Sequence, residues 1–253
     1  MTGQLRVIGL GPGPDKWVTP EASAALAVAQ DVFGYATYLK RVPERKGQAR
    51  HATDNREEIM RAQRALEAAA SGRNVALVSG GDPGVFAMAA AVFEAIEAGP
   101  AAWRGIDVAV LPGVTAMLAA AARIGAPLGA DFCAINLSDN LKPWSVIETR
   151  LELAVQAGFV LALYNPASKA RPTHIRTAFD ILRSALPAAT LVVVARAVGR
   201  PDESVSVGAL GTVDLSVVDM QTLLIVGSRD TRSIDRGDGS CWVYSPRSVE
   251  SVA

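Results

Sequence analysis

Three loops in the first half of the chain carry residue types suited to holding a small charged molecule. They are Gly9-Leu10-Gly11-Pro12-Gly13-Pro14, Ser79-Gly80-Gly81-Asp82-Pro83-Gly84 and Leu111-Pro112-Gly113-Val114-Thr115-Ala116. Their glycines allow a ligand to approach the backbone closely. Asp82 can accept hydrogen bonds from a ribose diol or an ammonium group; it can equally cap a helix that begins at Pro83. Thr115 offers a hydroxyl beside a helix start. Two polar clusters follow in the second half, Asn136-Leu137-Ser138-Asp139-Asn140 and Leu163-Tyr164-Asn165-Pro166-Ala167-Ser168, and each also reads as an ordinary solvated loop. Asp82, Asp139 and Tyr164 in these loops, and His51 outside them, are residue types that can move a proton. His174, directly after Pro172-Thr173, reads as a surface residue at a helix start.

Some chemistries are argued against. A dinucleotide fingerprint is G-x-G-x-x-G opening directly into a helix. Here Pro12 and Pro14 remove amide donors, and the next helix signal, Thr19-Pro20-Glu21, comes several residues later. An oxidoreductase that binds NAD(P) is therefore the competing reading of the first loop, not the leading one. With two histidines and two cysteines, Cys133 and Cys241, and no C-x-x-C spacing, no metal site is expected. The same two cysteines give no disulfide framework and fit a reducing cytosol. Lys+Arg is 25 and Asp+Glu is 25, so the basic excess that serves a nucleic-acid partner is missing. The first residues lack the form of a signal peptide, and the uncharged runs fall short of a ~20-residue span. The expectation is a cytoplasmic protein with neither a membrane nor a nucleic-acid partner.

The elements that must position the loops follow from hydrophobic periodicity. Strands are expected over residues 5–10, 31–34, 74–79 and 106–111, and helices over residues 20–30, from Asp54 or Asn55 to 70, 83–98 and 114–124. This alternation predicts a parallel sheet covered by helices. After residue 125 the rhythm changes. Strands are expected over 132–136, 159–164, 190–196, 204–207, 222–226 and 241–244, and helices over 144–157 and 172–185. The closely spaced final strands point to antiparallel pairing. The domain boundary is expected at residues 125–130, giving an N-terminal α/β domain over 1–125 and a mixed-sheet α/β domain over 126–253.

Taken in order, Gly9-Leu10-Gly11-Pro12-Gly13, Gly80-Gly81-Asp82-Pro83 and Pro112-Gly113-Val114-Thr115-Ala116 resemble the tetrapyrrole (corrin/porphyrin) methyltransferases. The resemblance runs from about residue 4 to about residue 245. It implies a two-domain tetrapyrrole methylase fold with the active site in the cleft between the domains, S-adenosylmethionine (SAM) as methyl donor, S-adenosylhomocysteine as its product, and a homodimer. Carried over by motif, it implies SAM contacts at Pro12, Gly80, Gly81, Asp82, Val85, Thr115, Ala116, Leu137, Asn165 and Ala197. It also implies contacts to the tetrapyrrole at Gly11, Ser138, Asp139, Asn140 and Arg171. His51, Asp82 and Tyr164 would be the catalytic acid–base groups. Arg41, Arg50, Lys142, Lys169, Arg171 and Arg196 are the cations that could pair with substrate carboxylates.

Within the family, Gly34-Tyr35-x-x-Tyr38, the stretch from His51 to Glu57, Leu137-Ser138-Asp139-Asn140 and Tyr164-Asn165-Pro166-Ala167-Ser168 look most like members of the cobalamin pathway. Those members methylate C17 of precorrin-3B. Methylation is accompanied by ring contraction to precorrin-4, a pinacol-type shift with lactone opening. The resemblance leaves open the cobalt-loaded counterpart, cobalt-factor III, and methylation at C11 or C4 of another precorrin.

Overall fold

The computed structural model describes residues 3–54, 57–168 and 173–248. Two compact units divide the chain, Met1–Thr115 and Ala116–Ala253.

The first unit holds one parallel sheet, ordered β3-β2-β4-β1-β5. Its strands are β1 (Gln4–Gly9), β2 (Asp31–Tyr35), β3 (Ala49–Thr53), β4 (Asn74–Ser79) and β5 (Asp107–Leu111). The central strand β4 reads as a nearly continuous apolar run, Val75-Ala76-Leu77-Val78, because both faces of the sheet are covered there. Leu5, Val7, Phe33, Val75 and Leu77 pack against α3 (Glu58–Ala70) and α4 (Met88–Ala98). Ile8, Val32, Ala76 and Val78 point the other way, toward α1 (Pro20–Val28) and α2 (Ala36–Leu39). Alternate residues of one strand therefore serve opposite faces. Helix α1 starts as its sequence predicts: the Thr19 side chain accepts from the Ala22 amide, and Pro20 is the first helical residue.

Three expectations need correction here. The pattern gave no strand at Ala49–Thr53, where Ala-Arg-His-Ala-Thr lacks an apolar run. It nevertheless forms the edge strand β3, with His51 opposite Phe33. Helix α3 begins at Glu58 after Glu57, not after Asp54. The Asp54 amide instead donates to the Glu57 carboxylate at 2.8 Å; Asn55 lies outside the described residues. Helix α4 begins at Met88, not at Pro83. Phe86 sits at φ 52° and Ala87 is extended, so the chain cannot enter a helix earlier.

Asp31 opens β2 and is buried. Its carboxylate receives His51 Nε2 at 2.8 Å and the Arg73 guanidinium, while the His51 ring stacks on Phe33 at 4.2 Å. Burial pushes the Asp31 carboxyl up, but hydrogen bonds and charges from Arg73 and His51 outweigh it, and the group is held below its ordinary value. A folded-state value below the unfolded one stabilises the fold above the unfolded carboxylate pKa, about 3.9. That contribution is lost as pH falls through the folded value. Asp31→Asn is expected to cost about 1–2 kcal/mol at neutral pH. Its deficit against the native protein should shrink below about pH 4, as read from urea midpoints between pH 3 and 7.

The second unit contains a mixed sheet, ordered β10-β9-β11-β8-β7. It uses β7 (Phe132–Asn136), β8 (Val160–Tyr164), β9 (Leu191–Arg196), β10 (Ser204–Ala209) and β11 (Thr222–Val226). Strands β7 and β8 are parallel, and β11 is antiparallel to both β8 and β9. Hence β9 runs with β8, and β7, β8 and β9 end at one edge. Helices α6 (Trp144–Gln156) and α7 (His174–Ala185) bury Ile147, Leu151, Ile175, Phe179 and Leu182 on this sheet.

A small third sheet is ordered β12-β13-β6, from β12 (Arg232–Asp235), β13 (Cys241–Tyr244) and β6 (Gly125–Ala126). Residues Gly125 and Ala126, at the expected domain boundary, thus form a strand pinned to β13. Ser245 reinforces it by donating its hydroxyl to the Pro127 carbonyl at 2.7 Å. Helix α5 (Ala116–Ile124) packs on β11, β10, β13 and β6. Helix α5 accordingly belongs to the unit that begins at Ala116. The final strands do pair antiparallel, but Cys241–Tyr244 joins the small sheet instead of the large one. Among the described residues no helix is long and apolar enough to cross a membrane.

Candidate active site

In the first unit the connection after β1 runs to the α1 face, and the connection after β4 runs to the α4 face. These two strands are neighbours in the sheet. Loops that leave adjacent parallel strands toward opposite faces open a crevice at the carboxyl edge, where open α/β sheets bind ligands. Two of the three glycine-rich loops lie there, and the third follows the neighbouring β5.

The three loops are locked together through backbone. Gly11 N–H donates to Gly81 O at 3.1 Å, and Gly81 N–H donates back to Gly11 O at 3.0 Å. Both residues have positive φ, 64° and 67°. A Cβ on Gly113 would lie 2.4 Å from Gly81 O and 2.9 Å from Gly9. Asp82 completes the junction: Oδ1 accepts the Gly84 amide at 2.7 Å and Oδ2 the Gly113 amide at 3.0 Å. Asp82 is thus no helix cap but a clasp between the second and third loops.

The glycines differ in purpose. A Cβ on Gly80 would strike the Tyr38 ring at 2.7 Å, so its missing side chain makes room for that tyrosine. Beside Gly81 a Cβ would meet nothing closer than Thr115 Cα at 3.9 Å. A side chain there would make only ordinary contact with Val114 and the buried Thr115, so the glycine at position 81 answers to its positive φ and not to crowding. Backbone polar groups, the Asp82 carboxylate and Thr115 thus converge on one loop junction.

Sequence reasoning missed what holds the first loop. Arg41 donates to the carbonyls of Leu10, Gly11 and Gly13 at 2.6–2.8 Å. It is separated from them by about thirty residues, and no local pattern signals the contact. As a carboxylate partner for substrate, Arg41 is therefore corrected to a loop anchor. Arg50 likewise donates to the Val42 and Leu39 carbonyls. Arg196 lies between Asp219 at 2.9 Å and Asp202 at 3.0 Å. Its hydrogen bonds to both push its own value up, and the guanidinium helps pull the Asp219 carboxyl down against the opposing effect of burial. Lys142 donates to Ser138 O at 3.2 Å. Lys169 and Arg171 lie outside the described residues.

In the second unit the loops after β7, β8 and β9 share one edge. Asn136 Oδ1 accepts from Ser138 N at 2.9 Å and from Asn165 Nδ2 at 3.1 Å, and Leu137 N donates to Tyr164 O at 2.9 Å. The Tyr164 hydroxyl accepts the Met117 amide at 3.1 Å. Leu137 and Ala197 are buried, backbone included. Besides Phe86, the non-glycine residues with positive φ among the described residues are Asn165 at 51° and Ala197 at 50°. Backbone strain of about 1–3 kcal/mol each is retained chiefly where a site requires it, and all three lie at strand-end loops.

The structure thus gathers Gly11, Pro12, Gly80, Gly81, Asp82, Val85 and Thr115 at one sheet edge. It gathers Leu137, Ser138, Asp139, Asn140, Tyr164, Asn165 and Ala197 at the edge of the second unit's large sheet. Ala116 opens α5. His51 joins neither set, because it is a strand residue engaged with Asp31.

A parallel sheet with ligand loops at its switch point, followed by a mixed-sheet unit with its own polar edge, defines a two-unit α/β small-molecule enzyme. The profile of the family described as Tetrapyrrole (Corrin/Porphyrin) Methylases matches residues 4–214, and the chain belongs to that family. It is 59% identical to the precorrin-3B C(17)-methyltransferase of Sinorhizobium sp., over 98% of this chain and 97% of that one. It is 43% identical to a probable cobalt-factor III C(17)-methyltransferase of Salmonella typhimurium, over 90% and 93%. The crystal structure of the methyltransferase CobJ is similar at 50% identity with a TM-score of 0.92, covering 97% of this chain and all of that one.

Proposed function

We propose that this protein is the SAM-dependent methyltransferase of cobalamin biosynthesis that methylates C17 of precorrin-3B as the macrocycle contracts to precorrin-4. The observation that carries the reading is the near-full-length likeness to the Sinorhizobium enzyme, which is closer than the likeness to the cobalt-factor III enzyme. The interlocked loops support the methyl-donor site. When bound, SAM supplies a methyl group already activated on a sulfonium. The protein's task is then to hold a nucleophilic carbon in line with it. The Gly81 flank, Asp82, Val85, Thr115 and Ala116 would hold the amino-acid end, with Pro12 at the base. Leu137, Asn165 and Ala197 would close over the adenosine. Ser138, Asp139 and Asn140 would meet the tetrapyrrole, with Gly11 and Arg171. Tyr164 and Asp82 are each already engaged with backbone amides, which suits positioning better than proton transfer.

Incubation with SAM and precorrin-3B should give a product heavier by one methyl group. Faster turnover of cobalt-loaded substrate would reassign the protein to the other pathway. Arg41→Lys should weaken SAM binding roughly tenfold, since an ammonium cannot span the carbonyls a guanidinium fork reaches. Calorimetry reads this, with a small loss of thermal stability. We further propose a cytoplasmic homodimer. Its free thiols, Cys133 and Cys241, suit a reducing compartment, and light scattering on the purified protein tests the dimer.

A further inference from the structure

His174 stands apart from the surface role its sequence context suggested. It is the first residue of α7, with a side chain only 19% exposed. Its ring stacks on Trp144, the first residue of α6, at 4.4 Å and 17° between planes. The Trp144 indole is itself fixed by donating to Glu148 at 2.7 Å. Nε2 of His174 lies 3.6 Å from Oδ2 of Asp139, in the polar loop after β7. Nδ1 is buried without a hydrogen-bond partner among the described residues. A buried polar atom left unpaired costs about 1–3 kcal/mol, and such groups in a native fold call for a reason, catalysis among them.

We propose that His174, supported by Asp139, is the proton-transfer group that drives ring contraction of the tetrapyrrole; this rests on the function proposed above. Three observations carry it. The imidazole plane is fixed by Trp144, which a base must have if its lone pair is to meet one particular proton. The 3.6 Å separation from Asp139 exceeds a hydrogen bond, so Nε2 is not consumed by its neighbour and can meet a substrate hydroxyl. Asp139 is nevertheless close enough for its charge to offset the positive charge the ring acquires. The pair also lies at the carboxyl end of β7 and β8, beside Ser138, Asn140 and Asn165.

In the step assigned to it, the substrate hydroxyl O–H bond breaks and its proton passes to Nε2. The O–H electron pair becomes the second bond of a ketone while a ring carbon migrates to the neighbouring carbon. The lactone C–O bond at that carbon breaks, and its electron pair leaves as a carboxylate. No oxidant or reductant is consumed, and the proton returns to solvent from the imidazolium. Asp139 is the carboxylate beside the imidazole; Glu148 holds the stacked indole, and Lys142 is bonded to Ser138 O in the loop that carries Asp139.

The test compares native protein with His174→Gln and Asp139→Asn, using SAM and precorrin-3B, with SAM affinity measured by calorimetry. His174→Gln should lower formation of contracted product by 10²-fold or more, with SAM affinity within about twofold of native. Asp139→Asn should lower it roughly tenfold, again with SAM affinity within about twofold of native. Accumulation of a methylated but uncontracted product would tie the loss to the assigned step. Either variant keeping its rate of contracted-product formation within threefold of native would overturn the proposal. So would loss of SAM binding in both variants, which would make the pair a structural prop. If native protein binds SAM but makes no precorrin-4, the functional reading itself falls, and the proposal with it.

Discussion

Asp82→Ala leaves a folded protein whose affinity for SAM falls by 10²-fold or more. Each Asp82 oxygen accepts one backbone amide, from Gly84 at 2.7 Å and Gly113 at 3.0 Å. Hydrogen bonds to a charged acceptor are worth about 1.5–3 kcal/mol each, and losing two frees the second loop from the third. Thr115 lies across this junction from Gly81, so the spacing of the two loops would no longer be fixed. The remaining Gly11–Gly81 pair of backbone bonds keeps the loops near their places, which is why folding survives. Asp82→Asn is nearly as damaging, because an amide NH2 would face one of the two N–H donors. Calorimetric titration with SAM, beside a thermal melt, separates the outcomes. Native-like affinity in both variants would remove Asp82 from the site.

Gly113→Ala is expected to be worse for the fold itself. Its Cβ would fall 2.4 Å from Gly81 O and 2.9 Å from the Gly9 backbone. The atoms in the way are backbone at the ends of two central strands, so no side-chain rotation relieves the contact. A destabilisation of about 3 kcal/mol or more follows, at the upper end for a single substitution. That corresponds to a melting temperature lower by roughly 6–12 °C for a protein of this size. By contrast, Gly105→Ala meets nothing within 4 Å and should melt like the native protein. Calorimetric scans of the two side by side test whether the cost comes from the loop junction or from glycine replacement in general.

Much of this was legible in the residues. The apolar runs at β1, β4, β8 and β9 and the Thr19-Pro20 cap state their elements locally. Glycine, proline and aspartate at the strand ends marked the loops that the fold gathers. The edge strand β3 was not legible, because its burial comes from one neighbour and the Asp31–His51 contact, not from its own composition. The late start of α4 was hidden because Asp82-Pro83 has the form of a helix cap. What removes Asp82 from that role is Gly113, 31 residues away.

The sequence by itself therefore determined the elements, the strand–helix alternation, the chemically equipped loops and the family. These depend on side-chain spacing and backbone preference over a few residues. Only the tertiary structure decided which charged groups are spoken for. Arg41 became a loop anchor, Arg196 a clamp between two aspartates, and His51 the partner of a buried carboxylate, whereas His174 emerged beside Asp139. The reason is physical: a guanidinium or an imidazole is claimed by whatever acceptor the strand order brings within about 3 Å, and strand order joins residues that no local pattern connects.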